Sequence, residues 1–126
     1  MIYPTFKGKV IEGNRIGRTL GFPTANIATS DNIPSNGVYI AKIALRDEYY
    51  YGLLSVGTRP TLDLKEMSVE VFVFDFMGDI YQQEMQVTPL HYIRNEIKFN
   101  SLKELKAQLA KDRDIAKQWL KEFSLH

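Results

Sequence analysis

The stretch Met67 to Phe74, MSVEVFVF, sets a valine at every second position from 69 to 73. Val69, Val71 and Val73 fall on one face of an extended strand, and Glu70, Phe72 and Phe74 fall on the other. A run of period two admits a strand and rejects a helix. Met77-Gly78-Asp79 supplies a turn after it, and the chain resumes with a second β-rich run through Met85 to Pro89. An earlier segment, GVYIAKIALRDEYYYGLLSVG, holds two more such runs around Asp47-Glu48, although that turn lacks glycine. FKGKVIEG, near the start, alternates weakly, as a short strand does. Residues 14–36 carry glycine and proline punctuation with little periodicity and read mostly as loop. Roughly five or six short strands joined by hairpins favour a closed antiparallel barrel, because closure removes exposed edges.

The last quarter changes period. Ser101-Leu102-Lys103-Glu104 is a capping box, with Leu102, Leu105 and Leu109 on one helical face. Asp112 can start a second helix, with Ile115, Trp119, Leu120 and Phe123 as its apolar stripe. The expected architecture is mostly β, with C-terminal α-helices packed on the barrel wall. A chain of 126 residues fits a single domain, 1–126, with the barrel over about residues 5–92 and the helical tail over about 100–124.

Charge and composition narrow the function classes. Sixteen basic and fifteen acidic residues leave a net charge of +1, which argues against a dedicated nucleic-acid surface. There is no cysteine, so disulfides and thiolate metal sites are excluded. No apolar run approaches membrane-spanning length and no signal-peptide pattern opens the chain. A cytoplasmic protein is expected. His91 and His126 lack a partner spacing for metal.

The candidate chemistry begins at GNRIGRTLGFPTAN. Gly13, Gly17 and Gly21 recur every four residues, with Arg18 beside the middle one. Glycines let a backbone approach phosphates, and an arginine can pair with phosphate oxygens. The Gly-Lys-Ser/Thr ending of a Walker loop is missing, and a structural turn is the competing reading. Pro23 fixes its own backbone angle and restricts Phe22. Two residues apart in an extended segment, Thr24 and Asn26 face the same side. Their hard oxygens suit Mg²⁺ bridged to nucleotide phosphates, or else an Asx or Ser/Thr turn. Glu70 shares its face with aromatic rings, so it is either an outward strand residue or a desolvated proton acceptor. Arg94, Glu96 and Phe99 stand just before the helix, where they could grip a planar ligand or form a solvated ion pair.

Together these segments resemble the riboflavin kinase (flavokinase) family. The resemblance rests on GRTLGFPTAN, PSNGVYIAKI, YGLLSVGTRPT, SVEVFVFDFMGDIY and YIRNEIKFNSLKELKAQLAKD, in the family's order and spacing, from about Gly8 to Asp112. It implies ATP-dependent transfer of the γ-phosphate to the 5′-hydroxyl of riboflavin, giving FMN and ADP. It also implies a six-stranded antiparallel Greek-key barrel with a helical C-terminus. By position, Thr24 and Asn26 would belong to the segment that binds Mg²⁺ and nucleotide phosphate, and Glu70 would be the catalytic base. The Gly13 to Gly21 loop, with Gly17 and Arg18, would be the flap over ATP, and Pro23 would be among the nucleotide-binding residues. Arg94, Glu96 and Phe99 would lie in the flavin-side loop. Phe72 stands where the bacterial pattern often has histidine, Ile80 to Gln82 replaces LYG, and TRPTL replaces a phenylalanine ending. In most bacteria this domain is the C-terminal half of a bifunctional protein whose other half, an FMN adenylyltransferase, makes FAD. The chain therefore reads as an excised domain making FMN but not FAD, with a stand-alone kinase as the alternative. A non-catalytic barrel that binds flavin or nucleic acid through its seven tyrosines and seven phenylalanines is the rival from another class.

Overall fold

The computed structural model describes residues 3–11, 24–29, 32–60, 65–75 and 83–124. Six strands run as β1 (Phe6–Ile11), β2 (Thr24–Ala28), β3 (Gly37–Leu45), β4 (Glu48–Pro60), β5 (Lys65–Val73) and β6 (Glu84–Arg94), followed by helix α1 (Leu102–Phe123). They close into an antiparallel barrel in the order β1-β2-β5-β4-β3-β6. Consecutive strands β3, β4 and β5 lie side by side and β6 returns beside β3, which is a Greek key.

Alternation builds two apolar layers. Inward residues fill the barrel: Phe6, Val10, Tyr39, Ile43, Leu54, Val69, Val71, Val73 and Met85 among them. The outward residues of the central strands are also buried. Val38, Ile40, Leu53, Phe72 and Phe74 meet Leu109 and Ala116 of α1, with Leu105, Trp119 and Leu120 packed alongside. The strands β3, β4 and β5 therefore have one face in the barrel and the other under the helix. This explains why Phe72 of β5, and Phe74 just after it, stand where a one-sided strand would carry polar groups.

One reading needs correction and two gain detail. Residues 14–36 contain strand β2, which pairs with β1 and β5. The first hairpin turns at Arg46-Asp47, closed by Leu45 opposite Glu48. Both turn residues have positive φ (54° and 63°), as a two-residue type I′ turn requires, so the turn forms without glycine. The tail is one helix of 22 residues, not two. Its N-terminus is capped as expected: Ser101 Oγ accepts from the Glu104 amide at 3.2 Å, and Glu104 Oε2 accepts from the Asn100 amide at 3.1 Å. Asp112 does not start a new helix because its carboxylate turns to the barrel and binds Arg94 there, rather than competing for backbone amides. The expected turn at Met77-Gly78-Asp79 lies outside the described residues. Among the described residues no helix is long and apolar enough to cross a membrane.

Close approach of β4 to β5 depends on Gly52. A Cβ there would sit 2.0 Å from the carbonyl oxygen of Phe72, which is backbone and cannot step aside. Gly52→Ala should therefore cost about 1–3 kcal/mol of stability through overpacking, measured by urea unfolding. An unchanged midpoint would mean that the two strands have slack.

Candidate active site

Strand register decides which side chains meet. On β2 and β5, Asn26 lies opposite Glu70 and Thr24 opposite Phe72. On β4, Ser55 lies opposite Glu70 and Leu53 opposite Phe72. Directly opposed residues of antiparallel strands hold their Cβ atoms about 4.5–5.5 Å apart. Thr24, Asn26, Glu70 and Ser55 thus share the outward face of the barrel, next to the patch that α1 covers.

That face continues to β6. The pairing of β3 with β6 shifts register between Val38 and Tyr39, so that Tyr39 opposes Tyr92 while Val38 opposes Arg94 rather than Ile93. A bulge of this kind re-aims a side chain. Here it brings Arg94 toward α1. Arg94 Nε donates to Asp112 Oδ1 and Oδ2 at 3.0 and 3.2 Å, and Nη2 donates to Oδ2 at 2.7 Å. Asp112 is fully buried, and Gln108 Nε2 donates to its Oδ1 at 3.0 Å. Arg94 Nη1 also donates to the carbonyl oxygen of Asn95 at 3.1 Å, so one guanidinium ties the end of β6 to the helix.

The segment after Arg94 crosses the outward face and closes a cleft of about 130 Å³. Glu70, Ser55, Arg94 and Glu96 contribute polar groups, while Val38, Leu53, Phe72, Ile97, Phe99, Leu105 and Leu109 make apolar walls. Few polar groups converging in an apolar slot is the usual make-up of a small-molecule site. At about 130 Å³ the slot holds one end of a ligand rather than a whole nucleotide or flavin, whose pockets run to roughly 300–1,000 Å³. Glu96 packs over Gly57: a Cβ on that glycine would lie 2.4 Å from Glu96 Oε1.

The structure therefore brings Glu70, Arg94, Glu96 and Phe99 to one cleft. Thr24 and Asn26 do not line it; they stand one strand away, beside Glu70 and Phe72. Thr24 is buried, and so is the Oδ1 of Asn26. Gly13, Gly17, Arg18, Gly21 and Pro23 lie outside the described residues. Ser55 and Gly57 were not singled out from sequence, and Asp112 was read only as a helix start. Ser55 and Gly57 become visible only once β4 is registered on β5. Asp112 did carry a signal, because an acid at helical spacing between Leu105, Leu109 and Ala116 sits inside an apolar stripe and needs a partner.

Two neutral oxygens, on Thr24 and Asn26, stand beside the partly buried Glu70 carboxylate, and such a set fits a magnesium ion that arrives on a nucleotide and takes few protein ligands. They do not make a dedicated protein cage. Among the described residues no group of three or more His, Cys, Asp or Glu side chains could hold a metal.

Residues 2–120 match the model of the flavokinase family, described as riboflavin kinase. A bifunctional riboflavin kinase/FMN adenylyltransferase from Haemophilus influenzae is 46% identical over 112 residues, covering 87% of this chain and 36% of that protein. A solved Streptococcus pneumoniae chain, named a macrolide-efflux protein, superposes with a TM-score of 0.82 at 38% identity, over 91% of this chain and 38% of that one. Riboflavin kinase from Trypanosoma brucei superposes with a TM-score of 0.62 over 97% of this chain and 85% of that one; at 24% identity this likeness is one of fold. The chain spans little more than a third of the length of the curated bifunctional relatives it matches. With its closed Greek-key barrel, its C-terminal helix and a family match across nearly all its residues, the chain belongs to the riboflavin kinase (flavokinase) family.

Proposed function

We propose that this chain is an ATP-dependent riboflavin kinase. The observation that carries the reading is the family match over residues 2–120 together with the seat of Glu70, in a cleft it shares with Ser55, Arg94 and Glu96, one strand from Thr24 and Asn26. A purely binding barrel has no use for that combination.

Phosphoryl transfer asks a protein mainly to position its reactants and to balance charge. The alcohol end of riboflavin enters the cleft and its 5′-hydroxyl meets the Glu70 carboxylate. The hydroxyl oxygen bonds to the γ-phosphorus of ATP, the bond from that phosphorus to the β,γ-bridging oxygen breaks, and ADP leaves. Glu70 takes the hydroxyl proton. Magnesium, when bound with the nucleotide, neutralises charge on the phosphate oxygens. Thr24 and Asn26 are the residues that would hold it, and the Gly13, Gly17, Arg18, Gly21 and Pro23 segment would cover the phosphates. Glu96 and Phe99 would border the flavin at the cleft mouth, beside the exposed Ile97. An adenylyltransferase partner domain, as the bifunctional relatives' name describes, would act on the FMN released.

Glu70→Gln keeps the shape of the side chain and removes the base. It should lower kcat for FMN formation by about 10²–10⁴-fold with little change in stability. Turnover at the parent rate would overturn the assignment of the base. Thr24→Val removes one hydroxyl at constant volume. It should weaken Mg-ATP binding by roughly tenfold or more while leaving the KM for riboflavin in place. A change confined to riboflavin would move Thr24 to the other substrate.

A further inference from the structure

We infer that Arg94 and Asp112 are positioning residues: their forked bond holds segment 95–99 over the cleft, and Gly57 leaves the space in which Glu96 lies. The inference rests on the kinase reading above and adds how the acceptor side of that site is shaped.

Three observations converge. First, the guanidinium of Arg94 makes three contacts to one carboxylate and a fourth to the carbonyl oxygen of Asn95. Its donors are largely committed within the protein. Second, Asp112 is fully buried and the Arg94 side chain is only 16% exposed. A pair so enclosed is rigid, because releasing either partner would leave a buried charge unmatched. Third, the segment that follows Arg94 directly is the one whose Glu96, Ile97 and Phe99 line the cleft opposite Glu70 and Phe72. Residues 95–99 belong to no helix or strand, so no backbone ladder sets their path. The fork at Arg94 is at one end and the cap at Ser101 is at the other. Between them Glu96 reaches back onto Gly57 of β4, where the atoms nearest to an added Cβ would be those of the Glu96 carboxylate.

The consequence is specific to the acceptor. Loosening the fork would let Glu96 and Phe99 drift from the alcohol substrate while leaving β2, one strand beyond Glu70, in place. A misplacement of about 1 Å can cost up to roughly 10²-fold in reaction rate. A merely structural loss would instead reduce the folded fraction and lower kcat with both KM values unchanged.

The test uses the full chain and four variants: Asp112→Asn, Arg94→Met, the double variant Arg94→Met/Asp112→Leu, and Gly57→Ala. The apolar double variant guards against misfolding, because a well-packed apolar pair often replaces a buried ion pair without loss of stability. Steady-state FMN formation is measured against riboflavin and Mg-ATP, and amide exchange is followed at residues 95–99. The expected result is a riboflavin KM raised about tenfold in both single variants, no further rise in the double, and an Mg-ATP KM within about twofold of the parent. Exchange at 95–99 should accelerate in the three fork variants. Gly57→Ala should raise the riboflavin KM with the fork intact.

If Arg94→Met loses riboflavin while Asp112→Asn binds it like the parent, Arg94 contacts the substrate itself and the inference fails. Parent-like KM values and exchange in the double variant would also overturn it. If the parent makes no FMN, the kinase reading fails, and the exchange rates still decide whether the fork holds 95–99.

Discussion

The backbone ladder between β2 and β5 is the constraint on which the site depends. Its register sets Asn26 against Glu70 and Thr24 against Phe72. A slip of one residue would turn every side chain of β5 over, sending Glu70 into the barrel and Val69 and Val71 out of it. The core forbids that exchange. Val71 and Val73 are fully buried among aliphatic neighbours, and an ionised carboxylate in their place would have no water and no partner there. The hydrophobic alternation that closes the barrel thus also aims the proposed base outward, to the one part of the surface that α1 and segment 95–99 enclose.

Enclosure has its own cost. Covering the outward face of β3, β4 and β5 with α1 buries Phe72 and Leu53 well, but it also takes Asp112 out of solvent. The β-bulge beside Val38 supplies the answer by swinging Arg94 to meet it. Replacing such a pair by apolar groups often costs nothing in stability, so retention of a fork here has a better rationale in geometry than in energy. Arg94 ends the last strand, and its bond to the helix decides where the chain goes next. One wall of the cleft, with Glu96, Ile97 and Phe99, comes from that path.

Much of this was legible in the residues. Val69 to Phe74 announced a strand with two different faces, and Ser101 with Glu104 announced the helix start; the caps and faces are as read. The misses share a cause, which is that tertiary partners overrule local signals. Strand β2 is five residues long, and its inward residues, Ala25 and Ile27, are too few to show a period against the surrounding glycine and proline. Asp112 looks like a helix start by local propensity, and only a partner eighteen residues earlier makes it a buried interior residue. Ser55 and Gly57 acquire meaning through register alone. Glu70, Arg94, Glu96 and Phe99 were singled out separately along the chain, and what no periodicity could supply is that they share one cleft.

The most direct measurement is product analysis with the unmodified chain: riboflavin and Mg-ATP are supplied, and FMN, FAD and ADP are separated by chromatography. FMN and ADP should form in equal amounts. Unphosphorylated riboflavin after prolonged incubation with folded protein and saturating Mg-ATP would contradict the kinase reading.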